Sequence, residues 1–437
     1  MTELEVLRSL STNEIKKVRK YQTKKLLELL NYANNNSPYY SKKIPDSVLT
    51  NDVQKFKVEH MEKIPVLQKQ TLKNENGNIS VENLENRDFF RNRSGGSTGE
   101  PVEFVQDQQY LDSARAVTIL FDEWSGYYIG ERRVRLWGSE RDLFQGQEKI
   151  MTRIKRYLKN EIWLNSFRMT EEDMKEYVEK INSFQPVQLL GYADSTYELA
   201  KFAEAKGLEV HSPTAVMTSA GKLYPHMREQ IEQTFDAPVY DRYGSREVGD
   251  IACECSNHEG LHISSPTHFV EVVDDDGNHV DKGEQGHVLV TSLTNYSMPF
   301  IRYRIGDMAV WGGYDCSCDL PFPVLKEISG RETSMFYTKD GDVVSPEYFI
   351  HLLGVVLDPE WLEKFQVVQQ KHDHVVVKCV PSIPQTRVEE DYSNSLQEIT
   401  EKIQLVLGDD CTVDYNFVSE IPPSDSGKYL YAVSEVN

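Results

Sequence analysis

The chain has 437 residues, 39% of them hydrophobic, which is long and apolar enough for a large core and more than one domain. Lysine and arginine number 48 against 69 aspartates and glutamates, and the resulting net charge of −21 repels a phosphate backbone, which argues against nucleic acid as a partner. No run approaches the ~18 consecutive apolar residues of a membrane span and the N-terminus lacks an apolar signal core, so a cytoplasmic protein with no membrane partner is expected.

Residues 1–80 read as a polar, mostly helical cap. The run Thr12 to Asn35 carries Ile15, Val18, Tyr21, Leu26, Leu27 and Leu30 at helical spacing. Two strands follow, Asp88–Arg91 and Val102–Gln106, separated by the Gly/Ser/Thr run Ser94, Gly95, Gly96, Ser97, Thr98, Gly99 before Glu100-Pro101. Tyr110–Trp124 reads as an amphipathic helix and Val134–Gly138 as a buried strand. From residue 185 strands at Val187–Leu190, Thr214–Met217 and Pro238–Tyr240 alternate with helices at Ser195–Lys206 and Tyr224–Phe235, the pattern of a parallel sheet with helical crossovers. After Gly260, Phe269–Val273 and Gly286–Val290 around an Asp-Gly turn predict antiparallel hairpins. Beyond residue 331 come a strand pair, Phe365–Gln370 and His374–Cys379, a helix near Glu389–Leu407 and a strand near Thr412–Phe417. The expected fold is therefore α/β. A large N-terminal domain, 1–331, holds parallel sheets, crossover helices and a small antiparallel-hairpin region; a small α+β C-terminal domain spans 332–437.

Several stretches carry chemistry. Glycines and hydroxyls at 94–99 let a backbone wrap phosphates, although a plain flexible hairpin connection has the same composition. Tyr243-Gly244-Ser245-Arg246-Glu247 follows a strand of the parallel series, where α/β sheets bind ligands, with a ring able to stack on a base and a carboxylate able to hold Mg²⁺. An ordinary strand-to-helix loop is the plainer reading. Arg302-Tyr303-Arg304-Ile305-Gly306-Asp307 would point both arginines one way if it is a strand. Ser426-Gly427-Lys428 offers a lysine that, without context, is solvated surface. Cys255, His262, Cys316 and Cys318 form a Cys₃His set suited to tetrahedral zinc, with Cys253 and His258 as competing ligands; four protein ligands would make the site structural.

Taken in order, these motifs resemble the adenylate-forming acid ligases, in the branch of the phenylacetate–CoA ligases and the capsular-polysaccharide-type ligases. The match runs from about residue 10 to the C-terminus. The resemblance implies that residues 94–99 are the phosphate loop, that Tyr243 lies against adenine, that Glu247 helps bind magnesium, and that Asp307 holds the ribose hydroxyls. It extends the nucleotide site to Gly221, Asp241, Arg242, Gly244, Ser245 and Arg331, and makes Lys428 with Glu247 catalytic. It also places zinc on Cys255, His262 and the later Cys-x-Cys. The implied chemistry is attack of a carboxylate on ATP to give acyl-AMP, then transfer to coenzyme A, with the mobile C-terminal domain turning about the segment near Arg331. An aryl or arylacetic acid is the expected substrate, and a homodimer is left open. An amine, hydroxyl or carrier-protein thiol as acceptor, or a non-catalytic nucleotide-binding scaffold, are the alternatives. Glu100 and Thr333 depart from the family pattern, which commonly has a lysine and an acidic residue there.

Overall fold

The computed structural model describes residues 2–50, 52–93, 102–138, 156–329, 335–353, 357, 359–422 and 430–436. These fall into two compact units. One contains residues 2–93, 102–128 and 240–329, the other 129–239 and 335–436.

The first unit opens with helix Glu3–Ser11, where Thr2 and Glu5 form a reciprocal capping box. Helix Ile15–Asn36 buries Val18, Leu26, Leu29, Leu30 and Ala33, a stripe at the 3.6-residue period. Short turns and the helices Lys69–Asn74 and Asn76–Ile79 then bring Tyr40, Met61, Ile64, Leu67, Leu72 and Ile79 into one buried cluster with Val288, Val290 and Phe300. Side chains from residues 26–79 thus form part of this unit's core.

Strands Phe89–Arg93 and Glu103–Asp107 pair antiparallel and close at Arg93 opposite Glu103. The second leads straight into helix Gln108–Trp124, whose N-cap Asp107 accepts from the Tyr110 N–H at 2.9 Å. The rest of the unit is an antiparallel sheet. Its neighbours run Val239–Ser245, Gly249–Glu254, Leu261–Ile263, Val324–Ser329, Tyr303–Gly313, Gln285–Ser292 and His268–Val273. Antiparallel pairing begins at the turn 246–248, earlier than the expected change after Gly260. Three residues are too few for the crossover a parallel partner requires, and Gly249, at φ +78°, turns the chain back.

The second unit carries the parallel strands Ala215–Ser219, Gln188–Tyr192, Arg133–Leu136 and Glu161–Leu164, adjacent in that order. Helices Glu171–Phe184, Ala193–Ala205 and Pro225–Phe235 cover them, packing Val178, Ile181, Leu199, Ala203, Ile231 and Phe235 on Val134, Leu189 and Val216. Sequence reasoning missed Glu161–Leu164 and Glu171–Phe184. The helix had a readable start, since Thr170 and Asp173 make a capping box ahead of Met174, Tyr177, Val178 and Ile181.

Residues beyond 335 add a four-stranded sheet, Thr412–Phe417, His374–Pro381, Leu362–Lys371 and Ala432–Ser434. Only the central pair is antiparallel. The predicted helix near 389–407 is two, Gln385–Asp391 and Ser393–Leu407, parted at Tyr392. A small sheet joins this segment to the parallel part: Phe336–Tyr337 pairs with Val343–Val344, which pairs with Arg168–Met169. No helix among the described residues is long and apolar enough to cross a membrane.

Candidate functional site

In the first unit, Tyr243 stands near the end of a strand whose side chains alternate in direction. Tyr243 Oη donates to Asp307 Oδ2 at 2.9 Å, bringing together two motifs that lie far apart in the chain. Gly306, at φ +99°, precedes Asp307 and turns the backbone through a region closed to most side chains. Gly244 is required by close approach: a Cβ there would stand 2.5 Å from the Gly249 carbonyl oxygen. Ser245 Oγ is buried without a hydrogen-bond partner among the described residues.

The motif does not open a strand-to-helix loop. It ends in the turn 246–248, which carries Glu247. That carboxylate is 7% exposed, and its Oε1 accepts from Tyr303 Oη at 3.4 Å. Gln106 Nε2 donates to the carbonyls of Arg246 and Glu247, both at 3.1 Å, and His268 Nε2 lies 2.8 Å from the Val248 carbonyl oxygen. Burial first, then Asp250 and Glu247, push the Tyr110 hydroxyl up. It stays protonated close beside Gly249, 3.0 Å from where a Cβ would be. The Glu247 carboxylate and the Tyr303 hydroxyl beside it offer oxygen, the donor type that a hard cation such as Mg²⁺ takes.

Not every predicted residue faces this point. Asp241 is half-buried, with its N–H donating to Glu254 Oε2 at 2.9 Å. Arg242 is buried and its guanidinium lies 3.5 Å from Asp250 Oδ2. Strand alternation sends Arg242 to the side opposite Tyr243. Arg302 and Arg304 do not share a regular strand, because Arg302 precedes the strand start at Tyr303 and has φ +52°. Arg302 is 1% exposed and wholly committed to the interior. Nε reaches both Glu271 oxygens at 3.1 and 3.2 Å, Nη1 the Ile64 carbonyl and Nη2 the Gly277 carbonyl. The 94–99 run, Arg331 and Lys428 lie outside the described residues.

The cysteine prediction converges on one place. One ligand atom from each of Cys255, His262, Cys316 and Cys318 lies within 4.8 Å of the other three. Cys255 Sγ is 3.7 Å from Cys316 Sγ, and Cys318 Sγ is 3.2 Å from His262 Nε2. His262 Nδ1 faces the Phe322 carbonyl at 2.9 Å; a carbonyl only accepts, so the proton sits on Nδ1 and the Nε2 lone pair points at the sulfurs. Backbone N–H groups of Asn257 and Leu320 donate to Cys255 and Cys318. Burial pushes both of those thiols up, for Cys318 with the neighbouring sulfurs adding to it, and burial pulls His262 down. A dication is what would turn such a set into thiolates. Of the competing ligands, Cys253 is fully buried and His258 Nδ1 sits 3.1 Å from Glu254; neither belongs to the cluster.

In the second unit, Gly221 follows the end of strand Ala215–Ser219. Ala220 before it has φ +70°, and a Cβ on Gly221 would stand 2.6 Å from Asp194 Oδ2. Trp137 and Tyr192, at the ends of neighbouring strands, have ring centroids 4.3 Å apart. The carboxyl ends of parallel strands are where such sheets take ligands.

Residues 336–435 match the CapK C-terminal domain. The chain is 25% identical over 437 residues to Protein CapK of Staphylococcus aureus, covering 97% of this chain and 92% of that protein. It is 27% identical over 149 residues, a third of each chain, to the phenylacetate-coenzyme A ligase of Thermus thermophilus, and 36% identical over 86 residues, a fifth of each, to that of Escherichia coli. Among solved structures, 2-hydroxyisobutyryl-CoA ligase bound to 2-HIB-AMP and CoA superposes with a TM-score of 0.60 at 18% identity, covering 97% of this chain and 91% of that one. The fold is that of the adenylate-forming ligases.

Proposed function

We propose that this chain, an adenylate-forming ligase by fold with a CapK-type C-terminal domain, activates a carboxylic acid with ATP and passes the acyl group to coenzyme A. The observation that supports the reading is the 2.9 Å contact of Tyr243 with Asp307, in the same unit as the buried Glu247: a ring able to stack on a base, a carboxylate able to accept from a ribose and one able to ligate a metal. In this reading Asp307 accepts from the ribose hydroxyls, Ser245 supplies its unpaired hydroxyl, and Ser94–Gly99 take the phosphates through backbone N–H groups. Glu247 would hold Mg²⁺, which offsets the repulsion between carboxylate and phosphates. Lys428 supplies a cation for adenylation. The relatives named as phenylacetate-coenzyme A ligases favour an aryl or arylacetic acid, and the Trp137–Tyr192 pair would give such a ring a wall. The Cys₃His cluster suits a structural zinc, since its four ligand atoms leave no open position.

Acid-dependent ATP–pyrophosphate exchange over a panel of aryl and aliphatic acids tests this. Exchange with at least one acid, followed by thioester on adding CoA, is expected. No exchange with any acid from folded, zinc-replete protein would reject adenylation; exchange without thioester would move the acceptor to an amine, hydroxyl or carrier thiol.

A further inference from the structure

The turn that carries Glu247 is held from outside by side chains on three successive carbonyls. His268 takes that of Val248, and Gln106 alone takes those of Arg246 and Glu247. Gln106 is 2% exposed, and its remaining polar atom is also used: Oε1 accepts from Asn92 Nδ2 at 3.2 Å. Backbone carbonyls only accept, so the amide can face the turn in one orientation. Both partners sit on the hairpin that encloses the Gly/Ser/Thr run, Asn92 on the outgoing strand and Gln106 on the return. The return strand is itself fixed on either side of Gln106. Asn295 Nδ2 donates to the Val105 carbonyl at 2.8 Å, while Asp107 Oδ2 accepts from the Ser297 N–H and hydroxyl at 3.1 and 2.9 Å.

We infer that Gln106 is a positioning residue that sets where the Glu247 carboxylate meets the metal of MgATP and ties that turn to the phosphate hairpin. This rests on the reading of Glu247 as the Mg²⁺ ligand. Magnesium tolerates little departure from octahedral geometry, so a turn free to shift by a fraction of an ångström would bind it poorly. Among the described residues the Glu247 side chain is held by the long 3.4 Å bond from Tyr303, which leaves the backbone bonds from Gln106 to set its place.

The test is Gln106→Met, which keeps the volume and removes both hydrogen-bonding groups, with ATP titrated calorimetrically at stepped Mg²⁺. No acid need be known for this readout. The Mg²⁺ concentration for half-maximal ATP affinity should rise about tenfold, the size of a lost positioning contact, with metal-free ATP binding unchanged. Asn92→Ala, which frees the far side of the amide, should shift it the same way but less. A Gln106→Met protein with lower melting temperature and unchanged Mg²⁺ dependence would show a merely structural glutamine and overturn the inference. Glu247→Gln separates the two readings. If its Mg²⁺ dependence is that of the wild type, the assignment of Glu247 fails; if it shifts while Gln106→Met does not, only the inference fails.

Discussion

His279 sits between two carboxylates in the first unit. Its Nδ1 is 2.7 Å from Glu62 Oε1, and its Nε2 is 2.9 Å from Glu271 Oε1. Glu271 already neutralises buried Arg302, so the four groups form one chain of charge around the Ile64 and Gly277 carbonyls. Burial pulls the imidazole down, but Glu271 and Glu62 outweigh it and hold its pKa above the ordinary 6.5. Burial raises Glu62, and bonds from His279 outweigh that and hold it below 4.5. The signs follow. A raised histidine contributes its full stability below about pH 6.5 and loses it as pH rises through the folded pKa; a depressed carboxylate contributes above about pH 4.5 and loses it as pH falls through its folded pKa. Between pH 6.5 and 9, wild-type protein should therefore lose more melting temperature than His279→Gln. Parallel curves for the two proteins over that range would mean the histidine is not charged in the fold. None of this was legible in sequence: the spacing of Arg302 and Arg304 suggested two like-pointing cations. Only the left-handed backbone at 302 reveals that one of them faces inward.

At the scale of elements, the Cys₃His cluster joins two hairpin connections. Cys255 and His262 bracket the link from Gly249–Glu254 to Leu261–Ile263, and Cys316 with Cys318 lie between Tyr303–Gly313 and Val324–Ser329. Strands Leu261–Ile263 and Val324–Ser329 pair directly, so the two connections emerge side by side. Ser317, between the two cysteines, donates its N–H and hydroxyl to Glu259 at 2.7 and 2.6 Å. Lys326 closes the back of the site on the carbonyls of Glu259 and Asp315. Zinc bound here would cross-link both loops to the sheet. Cys316→Ser should remove the metal and lower the melting temperature by about 5 °C or more, equivalent to ~2 kcal/mol for a unit of this size. Cys253→Ala and His258→Ala should leave one zinc per chain by elemental analysis. A metal-free wild-type protein, or equal loss in all three variants, would refute the assignment. The ligand set was legible because Cys-x-Cys pairs in polar turns have few other uses. Which cysteine stands aside was not: Cys253 falls inside strand Gly249–Glu254 and alternation buries it. The motifs proposed for the nucleotide stood out in the sequence for a similar reason, each joining a glycine to a group of fixed chemistry. The backbone around them was not, since a three-residue turn into an antiparallel strand and a loop into a helix begin with the same residues.

At the scale of the chain, the carboxyl-terminal segment is built into the second unit by specific contacts. Val343–Val344 pairs with Arg168–Met169, and the Arg168 guanidinium reaches Asp342 at 3.1 Å and the Leu405 carbonyl at 2.9 Å. Tyr337 Oη donates to Glu198 at 3.4 Å. Short non-local pairings of this kind leave little trace in sequence, because two-residue strands have no period to read. If the C-terminal domain turns between adenylation and thioester formation, these contacts belong to one of its positions and must break in the other. A lysine delivered for only one half-reaction then makes a distinctive prediction. Lys428→Ala should lower acyl-AMP formation by about 10²–10³-fold, the loss expected of a group that stabilises transition-state charge, while preformed acyl-AMP still gives thioester with CoA. Arg168→Ala, by loosening one docked position, should change the ratio of the two half-reaction rates severalfold. Single-turnover rates of each half-reaction, measured separately, decide both. Equal loss of the two in Lys428→Ala, or a ratio unmoved in Arg168→Ala, would mean that one fixed arrangement of the chain serves both steps.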